Sequence, residues 1–142
     1  MTSTYYLVNK ENQKISLNIA YSDFLRSIQS TLTYNNIFWR VYVKLFHKRW
    51  NIIPDNYLWG FNHKRWNSIF PITHENDEYW FTTPKKLKIV ISRLNRAKNL
   101  QKYFSFIDGK WKPMNNNDIN DIEKYIRFCK LGIRNEGIKV KK

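Results

Sequence analysis

The pentapeptide His-Lys-Arg-Trp-Asn stands twice in the chain, at residues 47–51 and 63–67. Lys48 and Arg49 precede Trp50 in the first copy, and Lys64 and Arg65 precede Trp66 in the second. Cations of this kind neutralise phosphates and an indole stacks on a base or sugar, so the chemistry implied is nucleic-acid recognition. The copies are offset from residue 47 to residue 63, which limits them to about 55 Å in an extended chain and allows both to face one partner if the chain turns back. The competing role for each indole is to anchor a turn in the core, with its Lys and Arg neighbours keeping that turn in water. The pentapeptide does not extend into a longer similarity, so it is not a repeated fold unit.

Bond-breaking chemistry has weaker support. Pro54-Asp55 and the later Asp108-Gly109-Lys110 resemble the PD…(D/E)xK arrangement of restriction-type nucleases, in which two acidic groups hold a metal and a lysine assists hydrolysis. The resemblance covers only those positions, and the gap between its halves is longer than such sites usually show. Asp108-Gly109 is also the natural turn of a hairpin and Pro54-Asp55 a natural turn opener, which is the favoured reading of both. His47, His63 and His74 are the three histidines. None is spaced i, i+4 from another as in a zinc hydrolase, so a polar or phosphate contact is expected of them rather than metal ligation or the acid/base pair of an RNA-cleaving toxin. Cys129 is the single cysteine, which rules out an internal disulfide and a cysteine-based metal cage. The four glycines do not form a phosphate loop. No cofactor is expected.

A second cationic feature is independent of the pentapeptides. Thr83-Pro84 pairs a good cap residue with the residue best tolerated in a first helical turn, and predicts a helix from there to about Leu100. Leu87, Val90, Ile91 and Leu94 would form its buried stripe. Lys85, Lys86, Lys88, Arg93, Arg96 and Lys98 would form a basic exposed surface able to lie along a phosphate backbone or enter a groove. A basic helix face alone is more often simply solvated, but this one belongs to a chain with 25 Lys and Arg against 11 Asp and Glu, a formal net charge of +14. The excess is spread along the chain without a long uninterrupted run, which suits a folded basic face.

These candidates need elements to carry them. Aromatics make up 17% of 142 residues and hydrophobic residues 42%, enough to bury a core in one domain. Tyr5 to Val8 and Lys14 to Ile19 read as a hairpin, and Ser22 to Leu32, with Phe24, Leu25, Ile28 and Leu32 at helical spacing, as a short helix capped by Ser22. Ile37 to Phe46 fits both periods; its β-branched and aromatic density predicts a strand. A turn at Pro54-Asp55-Asn56, a short strand at Tyr57 to Trp59 and a loop ending at Pro71 follow. Tyr79 to Phe81 reads as a strand after the acidic stretch Thr73 to Glu78. Tyr103 to Ile107 and Lys110 to Lys112 read as a hairpin turning at Asp108-Gly109, and Ile119, Ile122, Tyr125, Ile126 and Cys129 mark a helix ended by Gly132. Residues 1–137 are expected to form the domain and Ile138 to Lys142 a basic tail.

Strands and helices mix without regular alternation, so the expected fold class is α+β: a single small domain, an antiparallel sheet with about three helices packed against it. The N-terminus lacks the features of a secretory signal and no apolar run approaches the ~20 residues of a membrane span, so a reducing, cytoplasmic setting is expected. Alanine occurs only at Ala20 and Ala97 while Asn, Ile, Lys, Tyr and Phe abound, a bias expected of an AT-rich source such as a phage, large DNA virus, organelle or parasite. The expected function is non-enzymatic binding of DNA or RNA by Lys48, Arg49, Trp50, Lys64, Arg65 and Trp66 together with Lys85, Lys86, Lys88, Arg93 and Arg96. The main alternative is a viral or phage inhibitor docking on an acidic protein or a nucleoprotein complex, with Trp50, Trp59 and Trp66 as anchors. A metal-dependent nuclease is the second alternative.

Overall fold

The computed structural model describes residues 2–10, 14–18, 23–35, 41, 44–46, 70–105 and 108–141. In chain order these form β1 (Thr2–Leu7), β2 (Lys14–Asn18), α1 (Asp23–Tyr34), β3 (His74–Glu75), β4 (Tyr79–Thr82), α2 (Pro84–Leu100), β5 (Lys102–Phe104), β6 (Trp111–Pro113), α3 (Asn116–Arg134) and β7 (Ile138–Lys141). Five strands make one antiparallel sheet in the order β2-β1-β7-β4-β3, and β5 and β6 make a separate hairpin. The architecture is α+β, with an antiparallel sheet and helices against it.

The central strand is the segment expected to be a basic tail. Residues 138–141 pair with both neighbours, Tyr6 opposite Lys139 on one side and Phe81 opposite Lys139 on the other. The correction has a physical cause in the alternation of Ile138, Lys139, Val140 and Lys141, which is the period of a half-buried strand. Ile138 and Val140 enter the core. Lys139, only 8% exposed, lays its ammonium 4.3 Å from the centre of the Tyr79 ring. A long aliphatic stem and a cation–π contact let a lysine occupy a sheet centre.

One cluster gathers Tyr5, Leu7, Ile138 and Val140 from the sheet, Ile28 from α1, Leu87, Val90, Leu94 and Ala97 from α2, and Ile122, Tyr125, Ile126, Phe128 and Cys129 from α3. All three helices therefore lie on the same face of the sheet. Helices α2 and α3 run antiparallel: the start of α2 meets the end of α3 where Leu87 and Ile138 close over Gly132, and the other ends are joined by Lys98 and Glu123, 3.9 Å apart. A Cβ on Gly132 would lie 2.7 Å from both Leu87 and Ile138, so this glycine serves close packing. It does not end α3, as its position in the sequence predicts; the helix continues to Arg134, and the turn is made by Asn135, Glu136 (φ 63°) and Gly137 (φ 109°).

Local signals explain most of the other elements. Asn115 caps α3 reciprocally: its side chain accepts from the Asp118 N–H at 2.9 Å, and Asp118 accepts from the Asn115 N–H at 3.0 Å. Helix α1 is tied to the small hairpin by Thr31, whose hydroxyl donates to Ser27 O at 2.8 Å and accepts from Phe104 N at 2.7 Å. Within the segment 37–46, expected as a strand, the described residues Val41 and 44–46 are helical, and the expectation is corrected at those positions. Val41 and Leu45 stand at the i, i+4 spacing of the helical period that competed with the strand period here, and both side chains are exposed, at 50% and 64%. The Ser22 cap, the turn at 54–56, the strand at 57–59 and the loop of the second pentapeptide lie outside the described residues.

Candidate nucleic-acid interface

Helix α2 carries six Lys and Arg and no Asp or Glu in the sequence PKKLKIVISRLNRAKNL. Leu87, Val90, Leu94 and Ala97 are buried, which leaves Lys85, Lys88, Ile89, Ser92, Arg96 and Asn99 along the opposite, exposed stripe. Lys86, Arg93 and Lys98 flank it half-buried. Burial, with Arg96 adding like-charge repulsion, lowers the Arg93 pKa from its usual value. Lys98 faces Glu123 across the helix pair. Lys85, Lys88 and Arg96 have no carboxylate within ion-pair distance among the described residues. The helix starts at Pro84 with Thr83 as its N-cap residue, but the Thr83 side chain makes no capping bond, so the first-turn N–H groups and their partial positive charge add to the cationic end.

Helix α3 carries further exposed cations, none of them among the residues singled out from the sequence. Its acids fall in its first half, at Asp118, Asp121 and Glu123, and its cations in its second, at Lys124, Arg127, Lys130 and Arg134, all four exposed. Because the helices are antiparallel, Lys130 and Arg134 lie at the same end as Lys85 and Lys88. The helical spacing of these four cations, three to four residues apart, was visible in the sequence beside the apolar stripe that it interrupts.

The small hairpin holds the other missed feature. Trp111 on β6 is 43% exposed, makes an edge contact with Phe104 at 5.5 Å, and has the Lys102 ammonium 5.0 Å from its ring. An exposed indole carrying a cation is the arrangement sought in the pentapeptides. Lys48, Arg49, Trp50, Lys64, Arg65 and Trp66 themselves lie outside the described residues, as do His47, His63 and Pro54-Asp55. Of the nuclease-like pattern, Asp108 occupies the turn before β6: its N–H donates to Ser105 Oγ at 3.2 Å, its carboxylate pairs with Lys112, and Gly109 follows with φ 66°. These are the contacts of a hairpin turn. His74 stacks on Phe81 and Cys129 is buried in the core.

Among the described residues no helix is long and apolar enough to cross a membrane. Comparison of the chain with protein families, with curated proteins and with solved structures finds no match.

Proposed function

We propose that the chain is a small, non-enzymatic nucleic-acid-binding protein that engages phosphates through α2, extended by the cations of α3 and the HKRWN segments. The observation that carries this reading is the solvent face of α2, on which Lys85, Lys88 and Arg96 stand without carboxylate partners among the described residues. Cations left unpaired in a molecule of formal charge +14 keep their counterions until a polyanion displaces them. Fluorescence anisotropy with single-stranded and duplex DNA and RNA, titrated against salt, tests it. Replacing Lys85, Lys88 and Arg96 together by Gln should lower the slope of log K against log salt by about 2 to 3, since each phosphate contact contributes about 0.7 to 0.9. No binding at low salt, or an unchanged slope in the triple variant, would sink the reading.

The exposed apolar pair Val41 and Leu45 favours a second reading, docking on an acidic protein or nucleoprotein surface with the charge speeding association. Co-purification with and without nuclease separates the two: a protein partner retained after nuclease treatment supports docking.

A further inference from the structure

An antiparallel sheet with one face on a core ordinarily turns polar side chains to water from the other. Here α1, α2 and α3 share the face of Tyr5, Leu7, Ile138 and Val140. Residues directly opposite one another in register point to the same side, so Tyr6, Lys139, Phe81 and His74 form one row across β1, β7, β4 and β3 on the other face. Tyr79 and Lys141, themselves paired, lie two residues along the strands on that side. Tyr6, Tyr79 and Phe81 are half-buried, while His74 and Lys141 are exposed. The face thus carries aromatic rings in place of the usual polar row, with Lys139 buried among them and Lys141 exposed.

The rings are ordered among themselves. His74 lies parallel on Phe81, with centroids 4.6 Å apart and an interplanar angle of 5°, and Tyr79 meets Phe81 edge-on at 6.2 Å. The stack is held by the turn between β3 and β4, where Asn76 Oδ1 accepts from the Glu78 and Tyr79 N–H groups at 2.9 and 2.7 Å. Adjacent strands are about 4.8 Å apart, so the row from Tyr6 to His74 spans roughly 14 Å. Aromatic rings at a surface meet the faces of bases only when those bases are unpaired, since a duplex buries them in its own stack. Lys141, exposed beside the rings, matches a backbone that carries one negative charge per nucleotide.

We propose that the outer face of the five-stranded sheet binds a single-stranded nucleic-acid segment, its bases stacking on Tyr6, Tyr79, Phe81 and His74 and its phosphates meeting Lys141. The proposal rests on the nucleic-acid reading above and adds the strandedness of the ligand and a second contact surface. Stacking tolerates any base, so discrimination is expected between single strand and duplex rather than between sequences.

The test uses the whole chain. Wild-type protein is photo-crosslinked to single-stranded oligonucleotides containing 5-iodouracil, as DNA and as RNA, and the attached peptides are mapped. Crosslinks at residues 4–6, 74–81 or 139–141 are expected. Anisotropy is then measured for Tyr79→Leu and Phe81→Leu, which keep apolar bulk and lose the ring, after circular dichroism shows native-like structure. Each should weaken single-strand binding by roughly tenfold, with the salt slope unchanged. Crosslinks confined to other segments, or wild-type single-strand affinity in both folded variants, overturn the proposal even if phosphate binding by α2 persists. Conversely, loss of binding in the ring variants beside unchanged binding in the Lys85, Lys88 and Arg96 triple variant upholds the sheet face and removes α2 from the interface.

Discussion

A thiol with no exposed surface ionises reluctantly, and burial pushes the Cys129 pKa from its ordinary 9.0 up to about 12. Because the folded-state value is the higher one, the unfolded chain loses this proton first as pH rises. Stability is therefore unaffected by the group below pH 9 and falls between 9 and 12, by about 1.4 kcal/mol per pH unit. Urea titrations of wild type and Cys129→Val across that window should differ by this slope, with the difference isolating Cys129 from the lysines and tyrosines that titrate nearby; parallel curves would disprove the assignment. The burial of Cys129 was legible in the sequence from its place three residues after Ile126 on an apolar stripe. Other single-residue roles were not. Gly137 adopts φ 109° and a Cβ there would lie 2.4 Å from the Thr82 carbonyl oxygen, a constraint created by the chain returning beside β4. Thr31 lies within a helical segment, and only the approach of β5 makes its hydroxyl an acceptor for Phe104 N.

The two long helices begin with different chemistry, and their first turns should respond differently to mutation. Asn115 shares two hydrogen bonds with Asp118 in a reciprocal cap, so Asn115→Ala should cost about 1 kcal/mol. Thr83 occupies the matching position on α2 without a side-chain bond, and Thr83→Ala should stay within about 0.5 kcal/mol. Chemical denaturation of the two variants tests the contrast, and equal losses would contradict it. Both helices were readable from 3.6-residue periodicity, α2 also from Thr83-Pro84, and the hairpin from Asp108-Gly109, whereas the Asn115 cap was not singled out. The elements that were not readable are those decided by partners distant in sequence. His74–Glu75 lies in a stretch read as an acidic patch, and it becomes β3 by pairing with Phe81 and Trp80 across the Asn76 turn. For residues 37–46 two periods competed within one short window, and propensity favoured the wrong one at the described positions.

At the scale of the molecule, the charge excess and the basic helix were legible, whereas the coincidence of rings on the outer sheet face was not. His74, Phe81 and Tyr6 come from three strands, and only the register of β7 between β1 and β4 places them in one row. The same strand gives the fold its closure. It is the last described element, yet it joins the N-terminal hairpin to the β3–β4 pair, and Ile138 and Val140 supply the sheet's centre to the core. Without it β1 and β4 would both become open edges, and Leu87 and Gly132 would lose the side chain that closes over them. Removing residues 138–142 should therefore abolish cooperative unfolding, although the segment is one strand long. A sheet split in two cannot cover the apolar faces of α2 and α3, and residual structure would melt gradually with exposed hydrophobic surface. Calorimetry and dye binding on the shortened chain check this: a sharp transition near that of the full chain would mean that β7 is an accessory edge, while a broad one with strong dye binding is the result expected of a central strand.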